Sequence, residues 1–187
     1  MTCADTPTRR VFVALPPDTT TRNALMRAVA AIEQMGDASL RPLPAEDWHI
    51  TLRFIGAIDS DRLAALKTSV HDIAPRHQPL SLRLAHIEPF PSAEHPRVLA
   101  ATGPATPEAR ALVRDLETAC RTKGLRADTR GWRSHLTLAR IRGRATFDMA
   151  ARPIDVTTTA HHLLLMESVV VEQQQRHVAI ATWRLGE

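Results

Sequence analysis

A chain of 187 residues with 44% hydrophobic positions is the size of one domain, or of two small lobes sharing a core, and it carries enough apolar surface to fold. It contains no run of about 18 apolar residues and no charged start leading into an apolar segment and a small-residue cleavage site, so neither a membrane span nor a secretory leader is expected and the cytoplasm is the expected compartment. The formal charge is only +4, yet all but two of the 24 basic residues are arginine, whose planar fork suits phosphate; three Trp, four Phe and no Tyr argue against a long base-stacking platform.

In chain order, residues 10–15 (RVFVAL) read as a strand stopped by Pro16 and Pro17. Asp18 or one of Thr19 to Thr21 then caps a helix with Leu25, Val29 and Ile32 on one face. Residues 36–47 form a turn-rich connection, and residues 48–55 a strand ending at Gly56. Asp59 or Ser60 caps a second helix bearing Leu63, Leu66, Val70 and Ile73. Strands follow at 80–87 and 97–102, and Thr106-Pro107-Glu108 opens a third helix that stops at Gly124. Further strands are expected at 134–141, 161–171 and 176–185, the last two joined by a short polar link around Gln173 to Gln175. Three helices among many alternating strands imply an α+β fold with mostly antiparallel sheet. Residues 1–9 read as a frayed start to a single domain covering 1–187. Cys3 and Cys120 match neither a disulfide framework nor a metal-ligand spacing and are expected as free thiols.

The segment DWHITLRFIG, residues 47–56, places His49 and Thr51 on one face of a strand, with Ile50 and Leu52 on the other. One such His-x-Thr is ordinarily a half-buried strand with its polar side toward water. The pattern returns, however, as HLTL at 135–138, again with a tryptophan just upstream: Trp48 in the first copy, Trp132 in the second. Two copies of one strand unit suggest two related lobes facing a shared cleft. Two imidazoles and two hydroxyls brought to one centre form a phosphate site, in which one histidine removes a proton from an attacking water while the other protonates the departing oxygen. That scheme requires neither metal nor cofactor, and the remaining histidines, His177 among them, read as surface or structural residues.

The paired motif, together with RVFVALPPD, PRVLAA, SHLTLAR and LLLMESVVV, resembles the two-histidine phosphoesterases, and within them the bacterial and archaeal RNA 2′,3′-cyclic phosphodiesterases, also called 2′-5′ RNA ligases. The resemblance implies a bilobal fold of two pseudo-symmetric lobes, mainly antiparallel sheet with flanking helices, around a central cleft. It implies His49 as general acid, His135 as general base, and Thr51 and Thr137 as donors to phosphate oxygens. Expected substrates are RNA ends bearing a 2′,3′-cyclic phosphate, tRNA fragments or small cyclic nucleotides, handled by a monomer. Reversible 2′-5′ ligation, 2′-5′ linkage hydrolysis and a non-catalytic RNA-end-binding module stand as alternatives. Three further positions are candidate substrate contacts. Arg53 shares the face of His49 and Thr51 by strict alternation; Arg140 does so only if its strand bulges; Phe54 points at the core by the same alternation.

Overall fold

The computed structural model describes residues 7–34, 40–128, 131–142 and 150–186. Among the described residues nine strands form one curled antiparallel sheet with three α-helices packed on it. The strands are β1 (Arg9–Leu15), β2 (Leu40–Pro42), β3 (Ile50–Ile58), β4 (Leu80–Phe90), β5 (Val98–Gly103), β6 (Ser134–Ile141), β7 (Arg152–Ala160), β8 (His162–Val171) and β9 (Gln174–Arg184). The helices are α1 (Thr19–Glu33), α2 (Ser60–Ile73) and α3 (Pro107–Thr122).

Each helix starts where its sequence supplies a cap. The Asp18 carboxylate accepts from the Thr21 amide at 2.7 Å and, with its second oxygen, from the Thr159 amide at 2.8 Å, so one residue both starts α1 and ties it to β7. Those bonds hold the Asp18 carboxyl below its ordinary range against the cost of burial. Asp59 and Thr106 cap α2 and α3, and α3 buries the stripe Ala109, Leu112, Leu116 and Cys120 at helical spacing. Cys120 is a buried free thiol; Cys3 lies outside the described residues.

Strand order is β7-β4-β5-β6-β3-β1-β8-β9, with β2 added beside β6. This order is symmetric about the junction of β3 and β6, and each central strand is reached through a strand-helix unit, β1-α1 on one side and β5-α3 on the other. The two halves are the lobes expected from the repeated motif. Their central strands β3 and β6 are joined by a single backbone bridge, Ile50 opposite Leu136, and diverge from it to leave a cleft.

Several elements differ from the sequence reading. Strand β7 is absent from that reading: Ile154, Val156 and Ala160 alternate toward the core, but Pro153 and the run of threonines read as a link, yet it pairs along β4 from Leu80 to Ile87. Strand β3 does not stop at Gly56 but runs to Ile58, Gly56 taking a φ of +91° that side-chain-bearing residues rarely adopt. Arg9 is not frayed: it pairs with Ile58 in β1 and its guanidinium holds the Glu167 carboxylate. Of the turn-rich connection, 36–39 lie outside the described residues, and β2 occupies 40–42. Among the described residues no helix is long and apolar enough to cross a membrane.

Candidate active site

The bridge between Ile50 and Leu136 dictates the site. Both side chains are fully buried, so the neighbours on either side of each, His49 and Thr51, His135 and Thr137, project from the opposite face. In antiparallel geometry the residue after one bridge partner lies across from the residue before the other, which sets Thr51 across from His135 and His49 across from Thr137. All four line one cavity of about 240 Å³ in the cleft.

The two histidines are held alike. The Nδ1 atom of His49 lies 2.7 Å from the Asp47 carbonyl oxygen, and that of His135 lies 2.9 Å from the Arg133 carbonyl oxygen. A carbonyl can only accept, so each Nδ1 carries the proton and donates it, leaving each Nε2 with a lone pair to offer. Burial holds the His49 imidazole down to about 4, with further push from His177 and His135, while the Asp47 carbonyl opposes. His135 is lowered in the same way, by burial first and by the Arg133 charge, against its own carbonyl bond. Both rings are therefore neutral at pH 7 on their own, and an anion between them is what raises their proton affinity.

Strand bulges decide what else faces the cleft. In β3 the register steps from Thr51 opposite Ala14 to Arg53 opposite Val13, leaving Leu52 as an extra residue; in β6 it steps from Thr137 opposite Ala100 to Ala139 opposite Leu99, leaving Leu138 extra. Facing residues in a pair share a side of the sheet, so after each bulge alternation is inverted. Arg53 is turned away from the histidines. Only 3% exposed, it donates to Glu117 at 2.6 Å and to the Phe54 and Arg126 carbonyls. This corrects its expected place beside His49 and Thr51. Phe54, read as core by alternation, is 48% exposed and lines the cavity next to Phe12, with ring centres 5.6 Å apart. Arg140 also lines the cavity, in the position of the second motif that Phe54 holds in the first, and donates to the Gln175 side chain at 3.0 Å.

Simple alternation missed three partners. His177 sits edge-on to both His49 and Phe12, with ring centres 5.1 Å apart in each case, and its Nδ1 is 3.3 Å from the Ser168 hydroxyl. It is brought there by the β8-β9 hairpin, whose two-residue turn Glu172-Gln173 has φ values of 48° and 62°. Phe90 stacks on His135 at 4.2 Å and 14°. Trp132 donates its indole N–H to the Thr51 carbonyl at 2.8 Å, linking the segment before one motif to the strand of the other, while Trp48 is buried. Among the described residues no three His, Cys, Asp or Glu side chains cluster as metal ligands would.

Comparison with known proteins agrees with this geometry. A family model described as LigT like phosphoesterase matches residues 15–100, a span that holds the first His-x-Thr and ends before the second. A Geobacillus stearothermophilus protein named RNA 2′,3′-cyclic phosphodiesterase is 31% identical over 147 residues, 75% of this chain and 45% of that protein; a Bacillus subtilis protein of the same name is 32% identical over 94 residues, 50% of this chain and 51% of that protein. The chain thus spans about half the length of these two relatives. The fold matches a Thermus thermophilus structure with a TM-score of 0.83 at 22% identity, covering 95% of this chain and 99% of that one. It also matches Escherichia coli LigT complexed with 3′-AMP, with a TM-score of 0.77 at 19% identity, covering 97% and 100%. In its nine-stranded fold and over residues 15–100 of its sequence, the chain is thus similar to the LigT like phosphoesterases.

Proposed function

We propose that this chain opens the 2′,3′-cyclic phosphate at the end of an RNA and leaves a 2′-phosphate. The observation that carries the reading is the convergence of two His-x-Thr pairs on one cavity, each histidine presenting Nε2 while its Nδ1–H donates a hydrogen bond to a backbone carbonyl. The curated relatives' shared name supports the substrate class.

In the reaction, His135 Nε2 takes a proton from water, the water oxygen bonds to phosphorus, and the bond from phosphorus to the 3′ oxygen breaks. Protonated His49 gives its Nε2 proton to that departing oxygen. The bound phosphodiester's own negative charge raises His49 from about 4, so the acid is charged by the substrate it serves. Thr51 and Thr137 donate hydroxyl protons to the non-bridging oxygens, and Arg140 balances their charge. After turnover His135 is protonated and His49 neutral, and exchange with solvent restores both. No metal or cofactor is needed for any step. Phe54 supplies an apolar face for the terminal base. Arg53, tied to Glu117, acts on the substrate only by holding β3 against α3.

In this reading the 187 residues act as one bilobal domain, a cytoplasmic monomer, with tRNA fragments among its substrates. Incubation with an RNA ending in a radiolabelled 2′,3′-cyclic phosphate, in chelator, tests it: ring opening makes the label removable by a phosphomonoesterase. A label that stays resistant contradicts the reading.

A further inference from the structure

Next to the catalytic cavity lies a second one of about 810 Å³, bounded by α3 and by the segment leading into β6. The two adjoin, with Thr51, Phe54 and His135 lining both. The larger cavity combines two kinds of wall. Phe54 and Trp132 offer flat apolar surface and Arg97, Arg114, Arg121 and Arg133 offer cations, while Arg53, which also lines it, is held by Glu117. Its carboxylates are Glu117, bound to Arg53 and to the Asp128 amide, and Asp128 itself. Arg133 lies over the Phe90 ring at 4.6 Å, and Phe90 in turn stacks on His135, so a guanidinium-phenyl-imidazole stack connects the cationic wall to the proposed general base.

Flat apolar faces for stacking and forked cations for phosphate are together the chemistry of a single-stranded nucleotide site. The catalytic cavity has room for the cyclic phosphate and its ribose. A cyclic phosphate closes the 3′ end of an RNA, so the chain can continue only toward 5′. We propose that the 810 Å³ cavity is a subsite for the nucleotide immediately 5′ of the terminal one, which makes the preferred substrate an oligonucleotide end and not a mononucleoside cyclic phosphate. This rests on the phosphodiesterase reading above.

The test compares kcat/KM for cytidine 2′,3′-cyclic phosphate with that for a dinucleotide and a trinucleotide ending in the same cyclic cytidine, using the full chain. The dinucleotide is expected to exceed the mononucleoside by about tenfold or more, the worth of one stacked base with its phosphate contact. The advantage should shrink with added salt and should fall several-fold in the Arg114→Glu, Arg121→Glu double variant, whose exposed helix positions leave melting unchanged. Equal kcat/KM for mononucleoside and dinucleotide, both being hydrolysed, overturns the subsite and leaves the phosphodiesterase reading standing. A length advantage that the double variant retains in full also overturns it. Hydrolysis of none of the three overturns both.

Discussion

Ile50 lies opposite Leu136 in the backbone bridge that joins β3 to β6, and a two-fold turn about that bridge exchanges His49 with His135 and Thr51 with Thr137. The symmetry follows from two short sequence repeats, and it makes both histidines equally necessary. Replacing either with alanine is expected to lower kcat by about 10²- to 10⁴-fold, the usual worth of a positioned acid or base, while circular dichroism shows the fold retained. The double variant should lose little more than the worse single one, because the pair acts as a unit.

The acid-base pair also fixes a pH response. Both rings are held below their ordinary value, and the substrate anion raises them. Both limbs of the kcat/KM profile, which reports the free enzyme, are therefore expected below about 6.5, with the kcat profile displaced to higher pH. Measuring the two profiles separately checks this; coincident profiles centred above pH 7 would contradict it.

Stability responds to the same group. The folded protein holds His49 near 4 while the unfolded chain leaves it near 6.5, so between those values the unfolded state binds more protons. Stability is thus expected to decline as pH falls from about 6.5 to about 4 and to gain nothing from this group above 6.5. Urea midpoints of the wild type and of His49→Gln across that window should converge as the pH falls.

Arg53 and Glu117 form an ion pair with the arginine 3% exposed. Removing only one partner leaves the other uncompensated. Arg53→Met is expected to cost about 3 kcal/mol, and adding Glu117→Leu should recover part of that loss. The recovered double variant should keep most of its kcat, a result that a direct phosphate contact by Arg53 would not allow.

Phe54 and Arg140 hold equivalent places in the two motifs but differ in chemistry, and their variants should differ likewise. Phe54→Ala is expected to raise KM more than it lowers kcat, with Phe54→Trp restoring binding. Arg140→Met should lower kcat/KM by about ten- to a hundredfold and reduce the salt dependence of binding by about one counterion.

The sequence was most informative where chemistry and periodicity coincide. His49, Thr51, His135 and Thr137 were legible because each stands on an alternating strand beside a buried partner, and the three helices because Asp18, Asp59 and Thr106 cap apolar stripes. Leu52 and Leu138 defeated strict alternation: a bulge inserted at an ordinary leucine carries no compositional mark, and it exchanges the faces of Arg53 and Phe54. His177 was hidden for a different reason. Its approach to His49 depends on the register of the β8-β9 hairpin, set by a Glu172-Gln173 turn that lacks the glycine or asparagine such turns favour.

The central claim is that water attacks from the His135 side while the 3′ oxygen leaves toward His49. The direct measurement is the position of the phosphate in the product, read from an RNA ending in a 2′,3′-cyclic phosphate, for the wild type and for His49→Gln and His135→Gln. The account predicts exclusive 2′-phosphate from the wild type and turnover lowered by about 10²- to 10⁴-fold in either variant. A 3′-phosphate product, or full turnover with one histidine replaced, would contradict it.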